Sequence, residues 1–166
     1  MTQFEPTFAR KAFPCIDEPD KKSTFSISIT ADPDYIALSN NVEESRVINE
    51  TTGKATTTFK ATPVMSTYLV AWALGKFEFI ESKANNVVVK IWALKGKTAD
   101  GKLALEIAVD AIKYLEKYFE IPFCMDKIDM LAVPSLGDQA MENLGLLVRI
   151  AIAQIVHRDA NHRHSF

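Results

Sequence analysis

Cysteine and histidine are scarce in this chain. There are two cysteines, Cys15 and Cys124, and three histidines, His157, His162 and His164. Two widely separated cysteines cannot build a disulfide framework. They read as buried, reduced thiols, which fit a reducing compartment. His162-Arg163-His164 offers two imidazoles, but no carboxylate or thiol pattern completes a metal site around them. A solvated tail over residues 157–166 is the expectation. No apolar run is long enough to span a bilayer. No basic region followed by an apolar one opens the sequence at Met1-Thr2-Gln3-Phe4-Glu5-Pro6, so no secretory signal is expected. Charge of one sign is also lacking: 19 basic residues face 21 acidic ones, for a net charge of −2. That balance argues against nucleic acid and against an anionic membrane as partners. A Gly-rich phosphate loop, a nucleophile elbow and a Cys-x-x-Cys pair are all absent. Asn49-Glu50-Thr51 fits the glycosylation pattern, a triplet that arises easily by chance.

What is present is an ordinary core-forming composition. The chain has 166 residues, 48% of them hydrophobic, enough for one good core or two small ones. The first half reads as β. Phe25, Ile27 and Ile29 alternate with polar residues, the period of a half-buried strand. Further strands are expected over residues 35–38, 68–73, 76–80 and 87–94, with a bulge or bend at Gly75. A hairpin joins residues 46–49 to 55–60 through Thr51-Thr52-Gly53. Strands at this spacing predict an antiparallel sandwich or sheet. The pattern then changes. Leu105, Ala108, Ile112, Leu115 and Phe119 step by three and four, one face of an amphipathic helix over 102–120. Asp100 is placed to cap its start, and Pro122 to end it. Residues 128–133 read as a strand, 134–139 as a loop and 144–155 as one or two further strands.

Several stretches resemble one family in order. Thr2-Gln3-Phe4-Glu5-Pro6 comes first, then Ala12-Phe13-Pro14-Cys15-Ile16-Asp17-Glu18-Pro19. Leu38-Ser39-Asn40, Met65-Ser66-Thr67-Tyr68-Leu69 and Ala140-Met141-Glu142-Asn143 follow. Together they resemble the zinc aminopeptidases of the gluzincin type, whose exopeptidase signature is Gly-Ala-Met-Glu-Asn. The resemblance implies an α+β chain. An antiparallel, β-rich part of the family's N-terminal domain (1–94) would precede the start of a thermolysin-like catalytic domain (95–156) and an unmatched polar tail (157–166). It also implies a metallopeptidase that removes N-terminal residues from peptides in the cytoplasm, with zinc as the parent family's cofactor. The family's His-Glu-x-x-His zinc motif occurs nowhere in the 166 residues. The expectation is therefore an internal slice of a larger enzyme, inactive alone, with no catalytic residue and no metal of its own. Gln139 stands where the family has Gly, and Leu144 where it has Trp. The sequence after Leu147 departs from the family's pattern.

The resemblance assigns substrate contacts residue by residue. Glu142, with a second acidic group, would grip the free α-ammonium of the peptide, which makes an exopeptidase because a mid-chain amide carries no ammonium. Asn143 belongs to the same signature. Ala140 and Met141 would pair their backbone with an extended substrate. Gln3 and Glu5 would reach into the cleft near the amine. Asp17-Glu18 resembles an acid–base pair but is read as a structural turn. The rival reading is a non-catalytic β-rich interaction module, self-associating through open strand edges, or a decayed gene product.

Overall fold

The computed structural model describes residues 1–134 and 140–150. Ten strands and one long helix occur among them. β1 (Ser28–Ala31), β2 (Ile36–Ser39), β3 (Glu43–Ile48), β4 (Ala55–Phe59) and β5 (Trp72–Gly75) come first. β6 (Phe77–Ala84), β7 (Val87–Leu94), α1 (Lys102–Phe119), β8 (Lys127–Val133), β9 (Ala140–Asn143) and β10 (Leu146–Ile150) follow. The chain is thus β-rich, with antiparallel sheets and one helix, as expected of an N-terminal β domain running into the start of a catalytic domain.

β1, β4 and β3 form a three-stranded antiparallel sheet, and β2 pairs with β5 in a two-stranded one. The β3–β4 hairpin turns at Gly53, whose φ of 68° needs a residue without Cβ strain. Pairing beyond β1 continues through Ile27 O and Phe25 O, which accept from the Phe59 and Thr62 amides. The third sheet has five strands in the order β6-β7-β8-β10-β9. It is mixed: β7–β8 and β8–β10 are parallel, while β6–β7 and β10–β9 are antiparallel. α1 supplies the crossover from β7 to β8 that a parallel pair requires. This sheet is hydrogen-bonded continuously across residue 94.

Each face of the five-stranded sheet has its own core. On one face Val87 and Val89 pack against Val109 and Ile112 of α1. On the other, Trp92, Leu131, Val133, Leu146 and Val148 pack against Leu38, Ala71 and Ala73, brought by β2 and β5. A third cluster joins Phe4, Ala9, Met65 and Val70, with Leu144 packed against it.

Four local expectations need correction. Residues 68–73 are not one strand: Thr67–Leu69 is a 3-10 turn and β5 starts only at Trp72. The reason is Asn40, whose side chain takes the Leu69 carbonyl and the Ala71 amide, leaving them unavailable to a ladder. Asp100 does not cap α1; it lies in a 3-10 turn (Thr98–Gly101), and Gly101 is the N-cap without a side-chain bond. On the helix face, Val109 is buried while Leu115 and Phe119 are 47% and 61% exposed, because the line facing β6 and β7 runs through Leu105, Ala108, Val109, Ile112 and Glu116, whose carboxylate takes Asn85 of the β6–β7 turn. The cysteines are free, but Cys15 is half-buried and Cys124 exposed rather than buried.

Candidate functional site

β9 lies at an edge of the five-stranded sheet, paired only with β10 among the described residues. Strand alternation decides what it presents. Met141 and Asn143 turn into the protein, at 2% and 1% exposure, while Glu142 between them faces solvent and Ala140 is half-buried. Among the described residues, the other side of the strand has no sheet partner for its backbone N–H and C=O groups, the geometry that accepts an added extended peptide. The buried Asn143 amide has no hydrogen-bond partner among the described residues. Gln139 and the three histidines lie outside the described residues, as does the stretch 151–155 expected as strand. Leu144 is not in a strand either: Leu144-Gly145 is the two-residue turn joining β9 to β10.

That turn is held from several directions. Gly145 has φ 72°, and a Cβ there would overlap the backbone carbonyl oxygen of Asn40. Asn40 is fully buried, and its Nδ2 donates to Leu144 O and to Leu69 O, both at 2.8 Å. Its Oδ1 accepts from the Ala71 amide at 2.8 Å. Lys127, buried at the start of β8, donates to Gly145 O at 2.8 Å, Ser39 O at 2.7 Å and Asp129 Oδ2 at 2.6 Å. Burial pushes the Lys127 ammonium below the ordinary lysine range, and Asp129 opposes that shift. The Asp129 amide donates to Gly145 O as well, at 3.0 Å. In the sequence Leu38-Ser39-Asn40 stands out only as part of the family resemblance, and Lys127 and Asp129 do not stand out at all. One signal was available. Lys127, Asp129, Leu131 and Val133 share a strand face by the period of two, so a Lys–Asp pair on a core face had to be paired and buried.

Of the N-terminal candidates, Gln3 is half-buried and Glu5 exposed. Their segment is tied down by its neighbours. The Thr2 amide donates to Trp72 O at 2.9 Å, and the Phe4 ring meets the Trp72 ring edge-on at 5.2 Å. Because Phe4 and Leu144 share one apolar cluster, the start of the chain and the β9–β10 turn converge. Asp17 lies behind this region. Its carboxylate accepts from Thr67 Oγ1 at 2.7 Å and the Arg10 amide at 3.1 Å, and Arg10 Nε stands 3.4 Å away. Burial works to raise this carboxyl, but those hydrogen bonds and the Arg10 charge together hold it below the ordinary range. A group so fully engaged braces structure rather than moving protons, and its neighbour Glu18 is exposed.

Two cavities flank the five-stranded sheet. One of about 260 Å³ lies near the start of α1, against Ile91, Met130 and Arg149. The other, of about 390 Å³, lies between β2 and the β7–β8 face, near Phe59, Lys90 and Trp92. Neither of these two is lined by Gln3, Glu5 or Ala140–Asn143.

An antiparallel β portion leads into a mixed sheet crossed by a helix, with a Met-Glu-Asn edge strand, as expected of an N-terminal β domain followed by the start of a catalytic domain. Comparison with known proteins agrees. Residues 1–69 match the Peptidase M1 N-terminal domain and residues 103–164 the Peptidase family M1 domain. The chain is 44% identical over 151 residues to the thyrotropin-releasing hormone-degrading ectoenzyme of Homo sapiens, covering 89% of this chain and 14% of that protein. It is 41% identical to aminopeptidase M1-A of Oryza sativa subsp. japonica over 148 residues, 89% of this chain and 17% of that one. With the mitochondrial aminopeptidase 2 of Saccharomyces cerevisiae the identity is 37% over 158 residues, 95% of this chain and 16% of that one. The chain belongs to the M1 family of gluzincin aminopeptidases. It spans between 14% and 17% of the length of these three relatives.

M1 enzymes are zinc metallopeptidases, and the fit of that metal can be tested on the residues present. Among the described residues no group of three or more His, Cys, Asp or Glu side chains assembles to hold a metal ion. Among the described residues no helix is long and apolar enough to cross a membrane.

Proposed function

We propose that this chain carries the peptide-recognition part of an aminopeptidase site and does not hydrolyse peptides by itself. The observation that carries the reading is Glu142, exposed on edge strand β9 between two inward-facing residues. An extended peptide added along β9 would align its backbone with the free N–H and C=O groups of the strand, and its α-ammonium would meet the Glu142 carboxylate. A charge-assisted hydrogen bond of this kind contributes about 1.5–3 kcal/mol. Ala140 and Met141 supply backbone pairing, and Asn143 anchors the strand inward. Gln3 and Glu5 border the site from the N-terminal segment, which reaches the same apolar cluster. Absence of His-Glu-x-x-His from the sequence removes the group that generates a nucleophile near neutral pH in this family. We place the structural start of the catalytic unit at Phe77 rather than Lys95, because β6 and β7 are hydrogen-bonded into the sheet of β8–β10. Two unpaired cysteines support a cytoplasmic location, which cell fractionation would test.

The test is a titration of the chain with a short peptide bearing a free N-terminus, followed by NMR. Resonances of residues 140–143 are expected to move. An N-acetylated peptide, or the Glu142→Gln variant, should abolish the response. Equal binding of free and acetylated peptides would refute amine recognition. Turnover of amino-acid anilides by the chain alone, with or without added zinc, would refute the inactive reading.

A further inference from the structure

Edge strand β9 has one neighbouring strand among the described residues, and a two-residue turn connects them. Such a strand is held weakly unless something outside the ladder fixes it. Here the fixing comes from two buried side chains of other segments, which grip consecutive carbonyls of the turn. Asn40 Nδ2 takes Leu144 O and Lys127 Nζ takes Gly145 O, both at 2.8 Å. Each gripping side chain is itself fixed elsewhere. Asn40 is bonded to Leu69 O and the Ala71 amide, and Lys127 to Ser39 O and Asp129. Ser39 and Asn40 are adjacent, so the two grips meet at the end of β2. Gly145 completes the fit by allowing its Cα to approach the Asn40 carbonyl, where a Cβ would not fit.

We infer that Asn40 and Lys127 are positioning residues that set the height of β9 against the N-terminal β portion, and so the place where Glu142 meets a peptide's α-ammonium. This rests on Glu142 as the amine partner. Neither side chain touches the peptide. They act through the turn carbonyls, and the reason for burying a lysine here is geometric. Its ammonium has three donors, and one lands on each of three acceptors belonging to β2, β8 and the β9–β10 turn. A strand tethered at its turn from both the β2 and the β8 sides cannot slide along β10 or tilt away from it.

Three variants of the full chain separate positioning from stability. Lys127→Met removes the Nζ bond to Gly145 O, leaving the Asp129 amide alone on that carbonyl, and strands the Asp129 carboxylate. Lys127→Met combined with Asp129→Leu removes the grip and the stranded charge together. Asn40→Asp keeps shape and the acceptor for the Ala71 amide, yet removes the donors to Leu144 O and Leu69 O. Amide hydrogen exchange is read at Ala140–Asn143 and Leu146–Arg149, with the β6–β7 hairpin of the same sheet as internal reference. In the double variant thermal stability should return to near wild type, while protection at β9–β10 stays at least about tenfold down and β6–β7 changes less than about twofold. Asn40→Asp should produce the same local loss. The site readout is affinity for the free-amine peptide, expected to weaken about tenfold or more in the double variant, with no change for its acetylated counterpart. Restored protection at β9–β10 in the double variant, or equal loss in both hairpins, would overturn the inference. If the wild-type chain binds no peptide, the Glu142 reading fails alone, and the exchange pattern still decides whether Asn40 and Lys127 fix the strand.

Discussion

Gly145 and Gly53 both occupy left-handed backbone, with φ of 72° and 68°, yet their surroundings differ completely. A Cβ at Gly53 would meet nothing within 4 Å, while one at Gly145 would overlap Asn40. Gly53→Ala should therefore cost only the backbone term, about 1–2 kcal/mol. Gly145→Ala should cost a further ~1–3 kcal/mol, since Asn40 is fully buried with its side chain held by Leu69, Ala71 and Leu144 and has little room to yield. Urea denaturation of the two variants checks the difference, and equal losses would mean that the turn can move. Asp17 offers a second test at this scale. Its native carboxyl lies below the ordinary range, so its stabilisation is fully present above the unfolded value of about 3.9 and is lost as pH falls through the native value. Asp17→Asn should be less stable than wild type at neutral pH, and the gap should narrow as pH drops below about 4. Denaturation midpoints across that range decide it; a gap independent of pH would show that the Arg10 and Thr67 contacts do not depend on the charge.

At the scale of elements, α1 shows how periodicity and burial can part. The repeat of apolar residues correctly predicts a helix ending near residue 120, and the chain leaves it at Glu120 in left-handed geometry. Periodicity cannot say how far along the helix the sheet extends. Val109 and Ile112 meet β7 and Glu116 meets the β6–β7 turn, but Leu115 and Phe119 lie beside that line and stay exposed. Ile112→Ala should cost about 2–5 kcal/mol, as for a large core side chain cut to a cavity. Leu115→Ala should stay within about 0.5 kcal/mol. Thermal or urea melts of the pair read this directly, and a large loss at Leu115 would mean that its face is covered. The strand expected over 68–73 failed for a comparable reason. Its residues favour β structure, but a side chain thirty positions earlier in the fold's path claims the backbone groups that a ladder would need.

At the scale of the molecule, large apolar side chains remain in solvent along one side of α1. Leu103, Ile107, Tyr114, Tyr118 and Phe119 are all exposed, and Ile121 follows them. β3, an edge of its sheet, adds exposed Val47 and Ile48. Patches and open edges of this kind drive association. The 166-residue chain should therefore self-associate with rising concentration in size-exclusion chromatography with light scattering. Ile107→Glu combined with Tyr118→Glu should shift it toward monomer without lowering its melting temperature, since neither side chain is buried. A monodisperse monomer of the unaltered chain over a wide concentration range would contradict this.

Local chemistry in the sequence was sufficient for the hairpin at Gly53, for β7 from Val87 to Leu94, for α1 and for the family itself, because period, turn residues and ordered motifs act within a few residues. The resemblance also marked Glu142 as the residue of interest. Tertiary structure alone decided that β7 and β8 run side by side in parallel, that Glu142 faces outward on an edge, and that Asn40 and Lys127 converge on the turn beside it. Those relations join residues distant in the chain, 18 positions for Lys127 with Gly145 and 104 for Asn40 with Leu144. They depend on which buried donors find acceptors once the sheets have packed, a condition that no local pattern of residues encodes.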